Sequence, residues 1–164
     1  TKVAFIGWEV GYAPLDYAGI SGHAMFSAAI LPVLMRAVVG TSRGRSVNAA
    51  VALGYLLALL IAVSRVKIGA HSVVEAVAGF ALGSLSSGLT LRACPVAESR
   101  IPAWLPAGLL AWMLVLPLAA PPSFTHSWVT RLSLKLSGRP LPYTKNEMRR
   151  VYKLKLQARQ SASA

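Results

Sequence analysis

Long apolar runs separated by short polar segments dominate the chain. No charged residue occurs between Asp16 and Arg36, and a second charge-free run covers 47–64. The second run has 18 residues, close to the roughly 20 that a helix needs to cross a bilayer. The pattern predicts two membrane helices, from about 21 to 39 and over 47–64, joined by a tight basic turn.

Two further apolar segments follow these runs. A third helix is predicted from about Val73 to Leu91, and a fourth from Trp104 to Ala120 in a stretch without formal charge. Small residues recur at helical spacing along the third helix and give a stripe suited to close helix packing: Ala76, Gly79, Gly83 and Ser87. The fold predicted is an all-α membrane helical bundle with about four transmembrane helices in this chain.

The two ends differ from the apolar centre. Residues 1–20 contain three glycines and a proline, which predicts a loop. After residue 122 an amphipathic stretch leads into a basic tail, whose last five residues are expected to fray. We predict two domains, a membrane helical core over 1–122 and a basic amphipathic tail over 123–164. Because the chain opens with Thr1 and no signal-peptide pattern, upstream membrane helices are expected to be missing.

Composition supports a membrane setting. Hydrophobic residues make up 55% of the chain, charged residues 13%, and the mean hydropathy is +0.56. The net charge of +12 would suit nucleic acid in a soluble chain, but in a membrane protein Lys and Arg bind anionic lipid headgroups. We therefore predict the membrane and its headgroups as partners, and no nucleic acid. The lone cysteine, Cys94, excludes an internal disulfide and a cysteine cluster for metal.

Polar residues interrupt the pattern between the second and third helices. His71 and Glu75 are four residues apart, so on a helix the carboxylate reaches the ring. A carboxylate bonded to one ring nitrogen leaves the other free as base or nucleophile. Arg65 supplies a planar cation suited to phosphate. The sequence Ser72-x-x-Glu75 is equally a capping box, which could simply start a helix.

A second polar stretch, Ser21-Gly22-His23, precedes the first apolar helix. Free backbone N–H groups at a helix N-terminus favour an anion, and glycine allows close approach. Two antiparallel membrane helices joined by a short turn bring the start of the first and the end of the second to one membrane face. His23 and Arg65 are therefore expected to share a site.

Together the two stretches resemble the type 2 phosphatidic acid phosphatase and vanadium haloperoxidase superfamily. One family motif is Pro-Ser-Gly-His, which Ile20-Ser21-Gly22-His23 matches except at Ile20. The other is Ser-Arg, five residues, His, three residues and Asp, which Ser64-Arg65, His71 and Glu75 match with Glu for Asp. Both motifs occur at the expected spacing in the first half of the chain.

The family's earliest motif, Lys, six residues, then Arg-Pro, is matched only at Lys2. Glu9 and Val10 stand where the Arg-Pro pair belongs. Since a carboxylate is repelled by phosphate, Glu9 is expected to turn away from the site. Arg139, which lies in a Gly-Arg-Pro sequence, is a candidate to supply the missing guanidinium.

The resemblance implies hydrolysis of a phosphate ester without metal or cofactor, through a phosphohistidine. His71 would attack phosphorus, Glu75 would orient it, and His23 would protonate the leaving alkoxide. The resemblance also implies a set of phosphate-binding residues: Lys2, Ser21, Gly22, Arg65 and, by the argument above, Arg139.

The membrane setting makes a lipid phosphate or polyprenyl diphosphate the natural substrate. Arginines cluster on the face opposite the histidines, so the positive-inside rule favours an outward-facing site, although the basic tail opposes this. The predicted location is the bacterial inner membrane. Three alternatives stay open. They are a lipid phosphotransferase with the same site, a vanadate-dependent haloperoxidase, and a non-catalytic membrane scaffold, which Glu9 and Val10 would favour.

Overall fold

The computed structural model describes residues 1–39, 45–93 and 124–162, with a few positions between 102 and 111. The described part contains six α-helices and no strand. They are α1 (Lys2–Trp8), α2 (Gly22–Val39), α3 (Arg45–Lys67), α4 (Val73–Ala93), α5 (Phe124–Ser137) and α6 (Lys145–Ala162), with a short 3-10 turn at Ala13–Leu15. The prediction of an all-α fold is confirmed.

Three helices, α2, α3 and α4, are each long and apolar enough to cross a membrane. They identify the chain as an integral membrane protein. The predicted starts and ends are close to those observed, with α3 extending by a few residues into the charged flanks at both ends. The fourth predicted helix, over 104–120, falls almost wholly outside the described residues.

Contacts divide the chain into two compact units, which we describe separately. The membrane unit is Ser21–Pro121, and the terminal unit combines Thr1–Ile20 with Pro122–Ala164. The first twenty residues thus group with the C-terminal helices, whereas the predicted boundary lies at 122. In the membrane unit α2 packs against both α3 and α4, around a small apolar core: Ala28, Leu31, Ala58 and Ile61.

Small residues allow the helices of the membrane unit to approach closely. The stripe predicted on the third helix is the buried side of α4. A Cβ built on Gly83 would clash with the carbonyl oxygen of Met25, and one on Gly54 would lie 2.6 Å from the Cα of Pro32. Backbone contact of this kind is what packing between membrane helices uses in place of a hydrophobic driving force.

We expect Gly83→Ala to destabilise the membrane unit, because α2 and α4 have to separate to admit the methyl group. Overpacking of this kind costs roughly 1–3 kcal/mol, which a lower thermal unfolding midpoint in detergent would report. Gly88→Ala is the matched control, since nothing lies within 4 Å of a Cβ there. Equal losses in both variants would show that Gly83 does not act through this contact.

The prediction that residues 1–20 form a loop is wrong for the first part of the segment. Residues 2–8 form α1, which ends at Glu9 in a left-handed conformation with φ 60°. Phe5 and Ile6 are buried with Ala18 and Met148. A helix of seven residues is too short to show periodicity, and it is stabilised by α5 and α6, which lie more than a hundred residues away. The predicted fraying from 160 is likewise wrong as far as Ala162, where α6 ends.

Asp16 ties the 3-10 turn to α6 within the terminal unit. Its carboxylate accepts two hydrogen bonds from Arg149, at 2.6 and 2.8 Å, and lies 3.5 Å from the Nζ of Lys145. The hydrogen bonds from Arg149 are the main reason that the pKa of Asp16 is lowered, and partial burial opposes them. Since Asp16 is about one-third exposed, solvent screens this contribution to stability.

The lowered pKa predicts a pH dependence of the terminal unit. A depressed carboxyl pKa gives stability that is present above the ordinary aspartate value of 3.8 and is lost as pH falls through the lower folded value. Thermal unfolding followed from neutral pH into this acid range should therefore show a smaller loss in Asp16→Asn than in the wild type. An identical acid loss in both proteins would contradict the prediction.

Candidate active site

Glu75 lies at the centre of the polar cluster in the membrane unit. It is fully buried in the first turn of α4. Its Oε2 lies 2.8 Å from the Nδ1 of His71 and accepts the backbone N–H of Ser72 at 3.1 Å. The Ser72 hydroxyl accepts the N–H of Glu75 in return, at 3.3 Å. The capping box and the histidine contact, which the sequence offered as alternatives, are both present and share one carboxylate oxygen.

This contact determines which nitrogen of His71 can react. A carboxylate accepts hydrogen bonds, so Nδ1 of the neutral ring carries the proton and Nε2 keeps its lone pair. The ring is also largely shielded, with 11% of the side chain exposed. His71 is therefore oriented as a base or nucleophile acting through Nε2.

The turn after α3 connects His71 to Arg65. The backbone N–H groups of Ala70 and His71 donate to the carbonyl oxygen of Arg65, at 3.1 and 3.3 Å. Gly69 has φ +70°, a left-handed conformation that glycine adopts without strain. This role of Gly69 was not predicted, although a glycine just after a helix and before a candidate histidine is a signal present in the sequence. The local backbone thus places the cation and the histidine in one turn.

Arg65 is a buried cation in the last turn of α3. Its relative exposure is 8%, and its Nε has no hydrogen-bond partner within the described residues. Leaving a charged donor buried without an acceptor is costly unless an anion or polar group satisfies it. The environment of Arg65 therefore favours binding of an anion at this end of the membrane unit.

The start of α2 joins the same cluster. The buried Ser21 donates its N–H to the carbonyl oxygen of Glu75 at 3.0 Å, which fixes the first residues of α2 to the first turn of α4. A Cβ at Gly22 would meet nothing within 4 Å. His23 is exposed and lies close enough to Arg65 and His71 to interact with both electrostatically. The structure thus gathers the residues of both motifs at one end of the membrane unit.

Lys2, Glu9 and Arg139 belong to the terminal unit. Arg139 donates to Glu9 at 2.5 Å, and both side chains are partly exposed. Lys2 is the first residue of α1. Glu9, which stands where the family motif has arginine, is thus neutralised by Arg139, the residue predicted to supply the missing guanidinium. Binding of phosphate by Lys2 and Arg139 stays a prediction.

Comparison with known proteins agrees with the motifs. The sequence profile of the PAP2 superfamily matches residues 4–98. This range includes every candidate site residue except Lys2 and Arg139. A protein of Klebsiella pneumoniae, described as an uncharacterized 22.5 kDa protein in the cps region, is 32% identical over 155 residues, covering 90% of this chain and 73% of the relative. No solved structure matches. The family match supports a phosphatase-type function at a coarse level.

Proposed function

The chain belongs to the PAP2 superfamily, and we propose that it hydrolyses a lipid phosphate or polyprenyl diphosphate through a phosphohistidine, without a metal ion. The observation that carries the proposal is the pairing of His71 with the buried Glu75, at 2.8 Å, in the same turn as the buried Arg65. An oriented nucleophile next to an anion-binding cation is the arrangement that phosphoryl transfer requires.

In the first step the Nε2 of His71 attacks the terminal phosphorus, and the bond from this phosphorus to the oxygen of the leaving group breaks. Protonated His23 gives its proton to that oxygen, so a lipid phosphate releases its alcohol and a polyprenyl diphosphate releases polyprenyl monophosphate. The Nδ1–H of His71 stays on the ring, and Glu75 stabilises the positive charge that the ring gains. In the second step water attacks phosphorus, His23 takes a proton from it, and the bond from nitrogen to phosphorus breaks. Inorganic phosphate leaves, and both histidines return to their starting states.

Charge on the transferred phosphoryl group spreads over its equatorial oxygens. In our proposal Arg65 is the main cation for these oxygens, and Ser21 and the N–H of Gly22 donate to them at the N-terminus of α2. Lys2 and Arg139 are proposed as phosphate-binding residues from the sequence alone.

The three helices that are long and apolar enough to cross a membrane support a lipid as substrate, because a site at the end of such helices would lie at the level of the headgroups. We propose the bacterial inner membrane as the location, with the site facing outward. Transfer of the phosphoryl group to another lipid or sugar in place of water uses the same residues, and is the second candidate function.

The decisive test is an assay of the purified protein in detergent on lipid phosphates and polyprenyl diphosphates. We expect release of inorganic phosphate that continues in the presence of a metal chelator and is inhibited by vanadate, which imitates the five-coordinate transition state. Mass spectrometry of the products distinguishes transfer of the phosphoryl group to water from transfer to an alcohol. If no lipid tested gives inorganic phosphate or a phosphorylated acceptor, the proposal is wrong and the protein is better described as a non-catalytic membrane scaffold.

A further inference from the structure

Helix α6 consists of a docked first turn and an exposed remainder. Met148 is only 5% exposed and packs with Phe5, Ile6 and Ala18. Asp16 binds side chains from the same turn. From residue 150 to 162 every residue except Tyr152 is exposed. Contacts within the terminal unit thus fix the start of α6 and leave most of its length open.

The exposed part of α6 has an apolar side. Val151, Leu154 and Ala158 are spaced by three and four residues, so they follow one side of the helix. Val151 is 42% and Leu154 56% exposed, and neither belongs to a hydrophobic cluster of the described residues. This apolar side continues the line that begins at the docked Met148.

Cations flank the apolar side. Helical spacing places Arg150 along one edge and Lys155 with Arg159 along the other. With Lys153 they make four cations, and no carboxylate lies between residues 150 and 162. The salt bridges described for α6 involve only Lys145 and Arg149, in the docked part.

We propose that residues 150–162 of α6 lie on the anionic surface of a lipid bilayer. Val151 and Leu154 enter the boundary between headgroups and acyl chains, and the cations along the two edges, Arg150, Lys155 and Arg159, contact headgroup phosphates. A helix with an apolar side bordered by Lys and Arg binds membranes in this orientation. Each basic residue near an anionic leaflet adds an attraction that salt screens.

A nucleic acid would match the charge of α6 but not its apolar side. Nucleic acid offers phosphate but no extended apolar surface for Val151 and Leu154. A bilayer offers both, and the same chain contains three helices that are long and apolar enough to cross one. The proposal does not depend on the catalytic site.

The test uses the full chain in nanodiscs, with Cys94→Ser as background and an environment-sensitive fluorophore at Leu154→Cys. Gln160→Cys is the matched control, because helical spacing places Gln160 on the side away from Leu154. We expect the label at Leu154 to shift to the blue in an equal mixture of phosphatidylcholine and phosphatidylglycerol, but not in phosphatidylcholine alone. High salt should reverse the shift, and the label at Gln160 should report water throughout.

Charge neutralisation gives an independent readout. Replacing Arg150, Lys153, Lys155 and Arg159 by Gln should abolish the shift, since each cation is expected to contribute about a fivefold factor to binding. Phosphate release in detergent should be unchanged by this variant. Equal emission of the two labels in anionic nanodiscs would overturn the proposal. So would a shift at Leu154 that is insensitive to salt, or one that appears only after RNA or an acidic protein is added.

Discussion

His71→Ala is expected to abolish phosphate release while the protein still folds in detergent. The ring at position 71 is the proposed nucleophile, which forms the covalent intermediate. Removing a nucleophile that acts with its orienting partner typically lowers the rate by on the order of 10⁴-fold or more, far beyond an effect of packing. The measurements are turnover on a lipid phosphate, and trapping of a phosphorylated protein that is stable to base and labile to acid.

Two variants of the same cluster separate catalysis from helix capping. Ser72→Ala removes the hydroxyl that accepts the N–H of Glu75 and leaves the contact between His71 and Glu75. It should cost about 1 kcal/mol of stability and little activity. Glu75→Gln keeps the shape but loses the negative charge that stabilises the ring, so kcat should fall while substrate binding is kept. Turnover near wild type in His71→Ala would rule out the proposed mechanism.

Arg65→Ala is expected to lower activity steeply, whereas Glu9→Gln should change it only slightly. Arg65 is buried with an unpaired Nε in the described part of the chain, and in our proposal it binds the oxygens on which charge develops. Loss of one such donor typically costs about a hundred- to a thousandfold in kcat. Glu9 is in a partly exposed pair with Arg139, and pairs of this kind contribute roughly 0–1 kcal/mol.

Steady-state kinetics on one lipid phosphate checks both variants, with inhibition by inorganic phosphate as a measure of anion binding. Lys67→Ala is the matched control, because Lys67 is an exposed cation in the same last turn of α3. If general loss of positive charge were responsible, Lys67→Ala and Arg65→Ala would be impaired alike. If Glu9→Gln were inactive and Arg65→Ala tolerated, our assignment of the anion site would be wrong, and Glu9 would need a catalytic role.

The sequence by itself determined the membrane helices and the local geometry of the site. Apolar runs predicted α2, α3 and α4 nearly to their ends, because the length of a charge-free run must match the thickness of a bilayer. The four-residue spacing of His71 and Glu75 predicted their contact, although the structure places His71 in the turn just before α4 and not on the helix itself. Both features are set by residues close together in the chain.

The tertiary structure alone decided how distant segments meet. The bond from Ser21 to the carbonyl of Glu75, the burial of Arg65 and the pair of Glu9 with Arg139, 130 residues apart, all depend on packing between separate helices. Helix α1 forms although its sequence predicts a loop, because α5 and α6 cover its apolar side chains. Contacts of this kind leave no periodic pattern in the sequence, since their free energy comes from burial between segments and not from the propensity of either one.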